Sequence, residues 1–155
     1  MRPALFLLGA NLGRRDAALA KAVSALRRLE GVRVLKTSRL YETAPVGPSS
    51  KPYLNLAVRA VTSRTAMGLL IEAKRLEAAA GRRPGARWTA RVLDVDVVSL
   101  GRERTRTPWL TVPHPLMARR PFAAAPLADV APSWRPILAA MNPPPGIVRL
   151  WRHGR

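Results

Sequence analysis

Strand and helix patterns alternate along the first hundred residues in an order that few folds accommodate. Apolar runs or β-branched alternation typical of strands occur at 4–8, 32–38, 53–62 and 91–100. Apolar residues at helical spacing occur at 14–30 and 65–80, and a glycine follows each of these segments. The predicted order is therefore strand, helix, strand, strand, helix, strand.

This order is the β-α-β-β-α-β arrangement of ferredoxin-like folds, so we expect an α+β sandwich. The 155 residues show no internal repeat and no linker, and a chain of this length usually forms one domain. The last third contains WLTVPHP at 109–115, a short helical pattern over 119–129 and a Pro-rich tail at 133–155 to which the patterns assign no structure. Residues 1–155 are thus predicted to form a single domain with a C-terminal extension.

Composition restricts the classes of function. The chain has 27 Lys and Arg residues against 9 Asp and Glu, a formal charge of +18 that invites a nucleic-acid interpretation. Most of these residues are Arg rather than Lys, and we interpret most of the charge as solvated background. The absence of Cys excludes disulfides, thiolate metal sites and thiol nucleophiles. The apolar run at 4–8 is too short for a signal peptide or a membrane span, so a cytoplasmic location without membrane association is expected.

Two aspartates share one face of the strand at 91–100. Asp94 and Asp96 are two residues apart, so their side chains point the same way with Cβ atoms about 7 Å apart. Carboxylates at this spacing can hold two Mg²⁺ ions about 3.5–4 Å apart, with water and phosphate oxygens as the other ligands. The alternative is a solvated pair on an edge strand. Against it, Asp is disfavoured in strands, and the chain has only 9 acidic residues.

The strand at 53–62 presents polar residues in a similar way. Its even positions Leu54, Leu56, Val58 and Ala60 are all apolar, whereas Tyr53 and Asn55 begin the odd face. We therefore expect the sheet to have one face packed against the helices. The opposite face would be the working face and would carry Tyr53, Asn55 and the aspartate pair.

Arginines surround the aspartate pair in the sequence. The loop GRRPGARW at 81–88 precedes it, and Arg119 and Arg120 follow it. A guanidinium binds two phosphate oxygens at once, and a mobile loop of this kind could close over a nucleotide. The alternative is a set of solvated arginines in an Arg-rich protein. His114 lies between two prolines in a rigid turn, which favours either a structural role or contact with a ligand.

Six sequence blocks follow one another along residues 4–132. They are LGANLG, SRLYETAPVG, YLNLAV, GRRPGARWTARVLDVDVV, LTVPHPLMARRPF and PLADVAP. Together they resemble the 6-hydroxymethyl-7,8-dihydropterin pyrophosphokinase family, and the fourth block is the most specific. The resemblance implies a Mg²⁺-dependent diphosphotransferase of folate biosynthesis. Such an enzyme transfers pyrophosphate from ATP to the hydroxymethyl group of the reduced pterin and releases AMP.

The resemblance also implies a role for each matching position. Two Mg²⁺ ions would be bound by Asp94 and Asp96. ATP, the co-substrate, would be contacted by Lys74, Glu77, Arg82, Arg91, His114 and Arg120. The pterin would be contacted by Thr43, Ala44, Val46, Tyr53, Asn55, Trp88 and Phe122. Catalysis would depend on Arg82, Arg91 and Asp96, the last of which could accept a hydrogen bond from the attacking hydroxyl.

The chain departs from the family pattern in its basic loop. Thr89 and Ala90 replace the usual Gly-Pro pair, Pro84 stands where an arginine is expected, and the loop is one residue shorter. A commonly basic position after the PHP turn is Leu116. These differences concern loop closure and the phosphate contacts of Arg83 and Arg87 rather than the metal site.

Two other classes of function are open to this pattern. The first is a basic ferredoxin-like RNA-binding module, which needs aromatic stacking residues on its central strands. Here those strands offer only Phe6 and Tyr53. The second is a two-metal nuclease or nucleotidyltransferase, for which a third nearby carboxylate is missing. The sequence thus favours small-molecule substrates, no nucleic-acid partner and a monomer.

Overall fold

The computed structural model describes residues 1–44, 51–81, 92–142 and 148–152. The strands within these ranges are β1 (Arg2–Ala10), β2 (Val32–Thr37), β3 (Tyr41–Thr43), β4 (Tyr53–Thr62), β5 (Asp94–Leu100), β6 (Thr105–Arg106), β7 (Thr111–Val112) and β8 (Val148–Leu150). The α-helices are α1 (Arg15–Arg28), α2 (Ala66–Ala79), α3 (Pro121–Val130) and α4 (Arg135–Met141). None of these helices combines the length and hydropathy that a bilayer span requires.

The main sheet is antiparallel, and β1 and β4 are its central strands. Its order is β5-β1-β4-β3-β8, and β2 also pairs with β4. β2 occupies the C-terminal half of β4 and β3 its N-terminal end, so the two together act as one interrupted strand. β6 and β7 form a separate hairpin. The expected ferredoxin-like α+β sandwich is confirmed.

Helices α1 and α2 cover one face of the sheet. Their buried stripes, with Leu19 and Leu26 on α1 and Leu69 on α2, pack on the even residues of β1 and β4. The central strand residue Phe6 is 1% exposed in this core. α2 begins at a Thr65 cap, whose hydroxyl oxygen accepts a hydrogen bond from the Gly68 N–H at 3.0 Å. The expected packed face is confirmed.

The opposite face carries the predicted polar residues at one end and is covered by a helix over its centre, a cover that the sequence patterns did not indicate. α3 lies across its centre and buries a second apolar cluster, which includes Leu7, Ala57, Val98 and Leu127. The physical reason is that the odd residues in the middle of β1 and β4 are themselves apolar and need cover. α3 provides it because most of its residues are apolar and seven of them are buried. One end of the face, where β4 and β5 begin, stays accessible.

The C-terminal extension adds to the sheet. β8 pairs antiparallel with β3, and the Trp151 N–H donates to the Leu40 carbonyl at 2.9 Å. Beside this contact the Glu42 carboxylate accepts from Arg15 at 2.8 Å and from Arg149. The Pro-rich residues 143–147 lie outside the described ranges. Within the described part, the tail left unassigned by sequence patterns is a helix and an edge strand.

We predict that the packing of α3 on the sheet stabilises the protein as a second hydrophobic core. Leu127 is fully buried between α3 and the sheet, so Leu127→Ala should lower the free energy of unfolding by roughly 2 to 5 kcal/mol. Leu116→Ala, at a side chain that is 42% exposed, is the matched control and should change it by less than about 0.5 kcal/mol. Equal effects of the two variants in urea denaturation would contradict this prediction.

Candidate active site

A cavity of about 200 Å³ opens at the accessible end of the sheet, on the face that α3 covers. Its lining residues are Leu7, Gly9, Thr43, Tyr53, Asn55, Asp94, Asp96, His114, Arg120 and Phe122. Eight of these ten were predicted as site residues from the sequence. Leu7 and Gly9 were not, although their odd parity on β1 places them on the same face and could have identified them.

The register of the central strands explains why these side chains converge. Gly9 on β1 is directly opposite Asn55 on β4 and Asp94 on β5. Leu7, two residues away, is opposite Asp96. The strand β1 therefore lies between the predicted pterin contacts on one side and the aspartate pair on the other.

On the β4 side, Asn55 has a fixed orientation. Its Nδ2 donates to the Thr43 Oγ1 at 3.0 Å, and both side chains are 3% exposed. Because Nδ2 is used in this way, the amide oxygen Oδ1 is turned toward Gly9 and is available as an acceptor. Tyr53 flanks this amide on β4, and Phe122 reaches the cavity from the start of α3. Aromatic rings of Tyr53 and Phe122 therefore lie in the same cavity as the hydrogen-bonding amide of Asn55. This combination suits a flat ligand ring with polar groups at its edge.

The start of α3 also brings a cation into the cavity. The Arg120 guanidinium lies 5.6 Å from the centroid of the Phe122 ring, within the range of a cation–π contact. Stacking of this kind restricts the guanidinium while leaving its N–H donors at the edge of the group. Arg120 is therefore placed to meet an anion that enters between α3 and β5.

On the β5 side, the aspartate pair carries unfavourable negative charge. Burial, the neighbouring Asp94 and the Glu77 carboxylate raise the pKa of Asp96 to about 6. Within the described residues no group of three or more His, Asp or Glu side chains is arranged to hold a metal ion by itself. Two hard carboxylate ligands and a shortage of positive charge suit Mg²⁺, which commonly takes its other ligands from water and phosphate.

Glu77 reaches the aspartate pair through the backbone. Its carboxylate is 4% exposed, and its Oε1 accepts a hydrogen bond from the Val95 N–H at 2.9 Å. Val95 lies between the two aspartates on β5, which is an edge strand of the sheet formed by the described residues. Glu77 therefore satisfies a backbone donor that no described strand pairs with. Its other oxygen, Oε2, accepts from the Lys74 ammonium at 3.1 Å. These contacts make Glu77 a support for β5, and its predicted contact with ATP stays a prediction.

His114 lines the cavity as a possible hydrogen-bond donor. Its Nδ1 accepts a hydrogen bond from the Leu116 N–H at 3.2 Å, so the neutral ring carries its proton on Nε2. Burial and the nearby Arg120 lower the pKa of the His114 imidazole. Both effects favour the neutral ring, which can donate one hydrogen bond from Nε2.

A second cavity of about 280 Å³ meets the first at the aspartate pair. The two share Asp96 and His114, and Lys74 lines the second. Its walls come from α2, β5 and the β6–β7 hairpin and combine apolar with polar side chains: Leu70, Val95, Val97, Thr107, Pro108, Trp109, Leu110, Thr111 and Pro115. Sequence patterns did not indicate these walls, because the hairpin is short and its pairing is a tertiary feature.

Some predicted residues cannot be placed. The site predictions for Val46, Arg82, Trp88 and Arg91 fall outside the described residues, as do those for Arg83 and Arg87. Ala44 follows Thr43 at the end of β3 and is exposed. The roles of these residues stay predictions.

We predict that removing the Asp96 charge stabilises the metal-free protein. Because a raised pKa disfavours the charged form in the folded state, Asp96→Asn in EDTA at pH 7.5 should raise the free energy of unfolding by roughly 1 to 3 kcal/mol. The difference should shrink as the pH falls through about 6, since Asp96 then becomes neutral by taking up a proton. Urea denaturation at several pH values measures both effects.

Glu103→Gln is the control for that experiment. The pKa of this partly exposed carboxyl is lowered by the Thr105 hydroxyl and by Arg2, so its removal should slightly destabilise the protein at neutral pH. A destabilised Asp96→Asn variant in EDTA would contradict the predicted charge repulsion.

Comparison with known proteins identifies one enzyme family. A family model described as 7,8-dihydro-6-hydroxymethylpterin-pyrophosphokinase (HPPK) matches residues 5–132. A relative named 2-amino-4-hydroxy-6-hydroxymethyldihydropteridine pyrophosphokinase, from Bacillus subtilis, is 36% identical over 150 residues, which is 96% of this chain and 90% of that protein. A relative of the same name from Pseudomonas aeruginosa is 35% identical over 151 residues, which is 92% of this chain and 93% of that protein.

Solved structures share the fold at lower sequence identity. A Plasmodium falciparum HPPK-DHPS A437G structure with STZ-DHP has a TM-score of 0.69 at 13% identity. The match covers 90% of this chain and 45% of the other, so this chain spans less than half of that longer protein. At this identity the likeness shows the fold alone.

Proposed function

The chain belongs to the 7,8-dihydro-6-hydroxymethylpterin pyrophosphokinase family, and on this premise we propose how its residues divide the reaction between the two cavities. The function is transfer of pyrophosphate from ATP to the hydroxymethyl group of 6-hydroxymethyl-7,8-dihydropterin, in folate biosynthesis. The observation that carries the assignment of residues is the convergence of eight predicted site residues on one cavity.

The first cavity is proposed to bind the pterin. The ring would lie between Tyr53 and Phe122, which provide apolar contact on its faces. The Asn55 side chain and the Thr43 backbone would hydrogen-bond its polar edge, with the Asn55 Oδ1 accepting from a ring or exocyclic N–H. This pose directs the hydroxymethyl group toward β5 and the aspartates.

The second cavity is proposed to bind the nucleotide of ATP. Its mixed lining suits a purine base, because apolar side chains can pack on the faces of the ring and polar ones can meet its edge. Its junction with the first cavity suits the phosphates. Lys74, His114 and Arg120 would donate to phosphate oxygens there, alongside the predicted contacts of Arg82 and Arg91. A polyphosphate bridging the cavities would bring its β-phosphorus next to the pterin hydroxyl.

Asp94 and Asp96 are proposed to hold two Mg²⁺ ions. When bound, Mg²⁺ neutralises phosphate charge and orients the phosphate oxygens. The protein's own residues hold the reactants in line, so that the pterin hydroxymethyl oxygen bonds to the β-phosphorus of ATP. The bond from that phosphorus to the oxygen shared with the α-phosphate breaks, and AMP leaves. The hydroxyl proton passes toward the Asp96 carboxylate and then to solvent.

The RNA-binding alternative is not favoured. Base stacking needs exposed aromatic rings on the central strands. Phe6, one of the two candidates, is 1% exposed and faces the helices, which leaves only Tyr53. A sheet face that carries Asp94 and Asp96 and is partly covered by α3 has little surface for a nucleic-acid strand.

A monomer in the cytoplasm is proposed as the working form. The described residues of a single chain line both cavities, so neither needs a second copy. ATP, the co-substrate, is available in the cytoplasm. Size-exclusion chromatography with light scattering should give a mass close to 17.0 kDa, and a stable dimer would contradict the first part of this proposal.

We predict that the purified protein, ATP, Mg²⁺ and the reduced pterin alcohol together produce AMP. Asp94→Ala and Asp96→Ala should each lower kcat by roughly 100-fold or more, since both remove transition-state charge stabilisation. Glu30→Ala, at an exposed carboxylate that lines neither cavity, is the control and should keep full activity. Nucleotide analysis by ion-exchange chromatography distinguishes AMP from ADP.

Two outcomes would overturn these assignments. Formation of ADP would indicate simple phosphoryl transfer and exclude the pyrophosphokinase reaction. Near-normal activity in both aspartate variants would exclude the proposed metal site while leaving the reaction itself intact.

A further inference from the structure

Gly9 lines the first cavity, and its backbone conformation does not require a glycine. It lies in the middle of the antiparallel sheet, paired with Asn55 on one side and Asp94 on the other. Gly13, Gly31, Gly81 and Gly101 have positive φ, whereas Gly9 does not. A glycine inside a strand weakens it and often marks a close approach by another group. The explanation for Gly9 should therefore be the space that its missing side chain leaves.

That space is filled by the amide of Asn55. A Cβ atom at position 9 would lie 2.9 Å from the Asn55 Oδ1 and 3.7 Å from the Tyr53 Cδ1. The first distance is shorter than real Cβ contacts, so the amide would have to move. The second is ordinary van der Waals contact, so the conflict concerns Asn55 alone.

The Asn55 amide has little freedom to move. Its Nδ2 is hydrogen-bonded to the Thr43 Oγ1 at 3.0 Å, and both residues are 3% exposed. Displacing Oδ1 rotates the whole planar amide, and this lengthens or breaks the bond to Thr43. A single methyl group at position 9 would therefore change the direction of an acceptor in the binding cavity.

From this geometry we propose that Gly9 is a positioning residue for pterin recognition. It acts through Asn55: the absent side chain lets the Asn55 Oδ1 lie over β1, aimed at the N–H donors of the pterin's pyrimidine ring. It also keeps the β1 backbone flat between Asn55 and Asp94, where the ring and its hydroxymethyl arm would pass. This inference rests on the proposed function and deepens it, since it assigns a specificity determinant to the same site.

The proposal predicts a selective effect of Gly9→Ala. The KM for the pterin should rise tenfold or more, because one oriented hydrogen bond is lost, whereas kcat and the KM for ATP should change less than threefold. The thermal unfolding temperature is measured alongside, because a purely structural role would lower it without separating the two KM values. An unchanged pterin KM would overturn the proposal.

A double-mutant cycle isolates the route through Asn55. In an Asn55→Ala background the amide is absent, so adding Gly9→Ala should raise the pterin KM by less than twofold. Equal effects of Gly9→Ala in the two backgrounds would mean that position 9 acts independently of Asn55, and would overturn the proposed route.

Thr43→Val serves if Gly9→Ala is too unstable to assay. It removes the acceptor that orients the amide while keeping the shape of the side chain. The pterin KM should again rise about tenfold with kcat retained, and an unchanged pterin KM would overturn the proposal. Failure of the wild-type protein to form AMP from ATP and the pterin would instead contradict the proposed function, so the two failures are distinguishable.

Discussion

The antiparallel register of β1 with β4 and β5 is the constraint on which the rest of the site depends. Side chains alternate along a strand, so a slip of one residue would move every site residue of that strand into the helix-side core. The apolar even positions of β1 and β4 prevent such a slip, because Phe6 and its neighbours would lose their burial under α1 and α2. The same packing that stabilises the sheet therefore places Asn55 and Asp94 on either side of Gly9.

A second consequence of the register is that the fold must cover the middle of the site-bearing face. Leu7, Ala57 and Val98 are apolar, and α3 buries them. The start of α3 then lies at the edge of that cover, so Arg120 and Phe122 reach the cavity. One helix thus both completes a core and forms a wall of the binding site. Loss of its packing would remove a predicted phosphate contact and a predicted ring contact together.

Sequence patterns identified the side chains with distinctive chemistry. They missed a glycine that matters because it has no side chain and a carboxylate that acts on the backbone. Strand parity placed Asp94, Asp96 and Asn55 on one face, and the order of elements indicated the fold. Parity also places Gly9 on this face, but its role was missed because a glycine has no side-chain chemistry to suggest one. The support that Glu77 gives to β5 escaped because an unpaired N–H on an edge strand exists only after the sheet has formed. The cover by α3 and the added strand β8 are likewise tertiary, since they depend on surfaces that distant segments create.

The pKa values of the acidic residues show that the net charge of +18 does not make every part of the protein positive. In such a basic protein nearby cations are expected to stabilise the charged form of a carboxylate. The pKa values of Glu42, Glu103 and Asp129 are indeed lowered. Asp96 has a pKa raised to about 6, although Lys74 and Arg120 act on it in the opposite direction. Burial and two neighbouring carboxylates therefore outweigh the cations that the described fold places near it. A site that concentrates negative charge in a chain rich in arginine favours added positive charge there, as a divalent cation delivered with a polyphosphate provides.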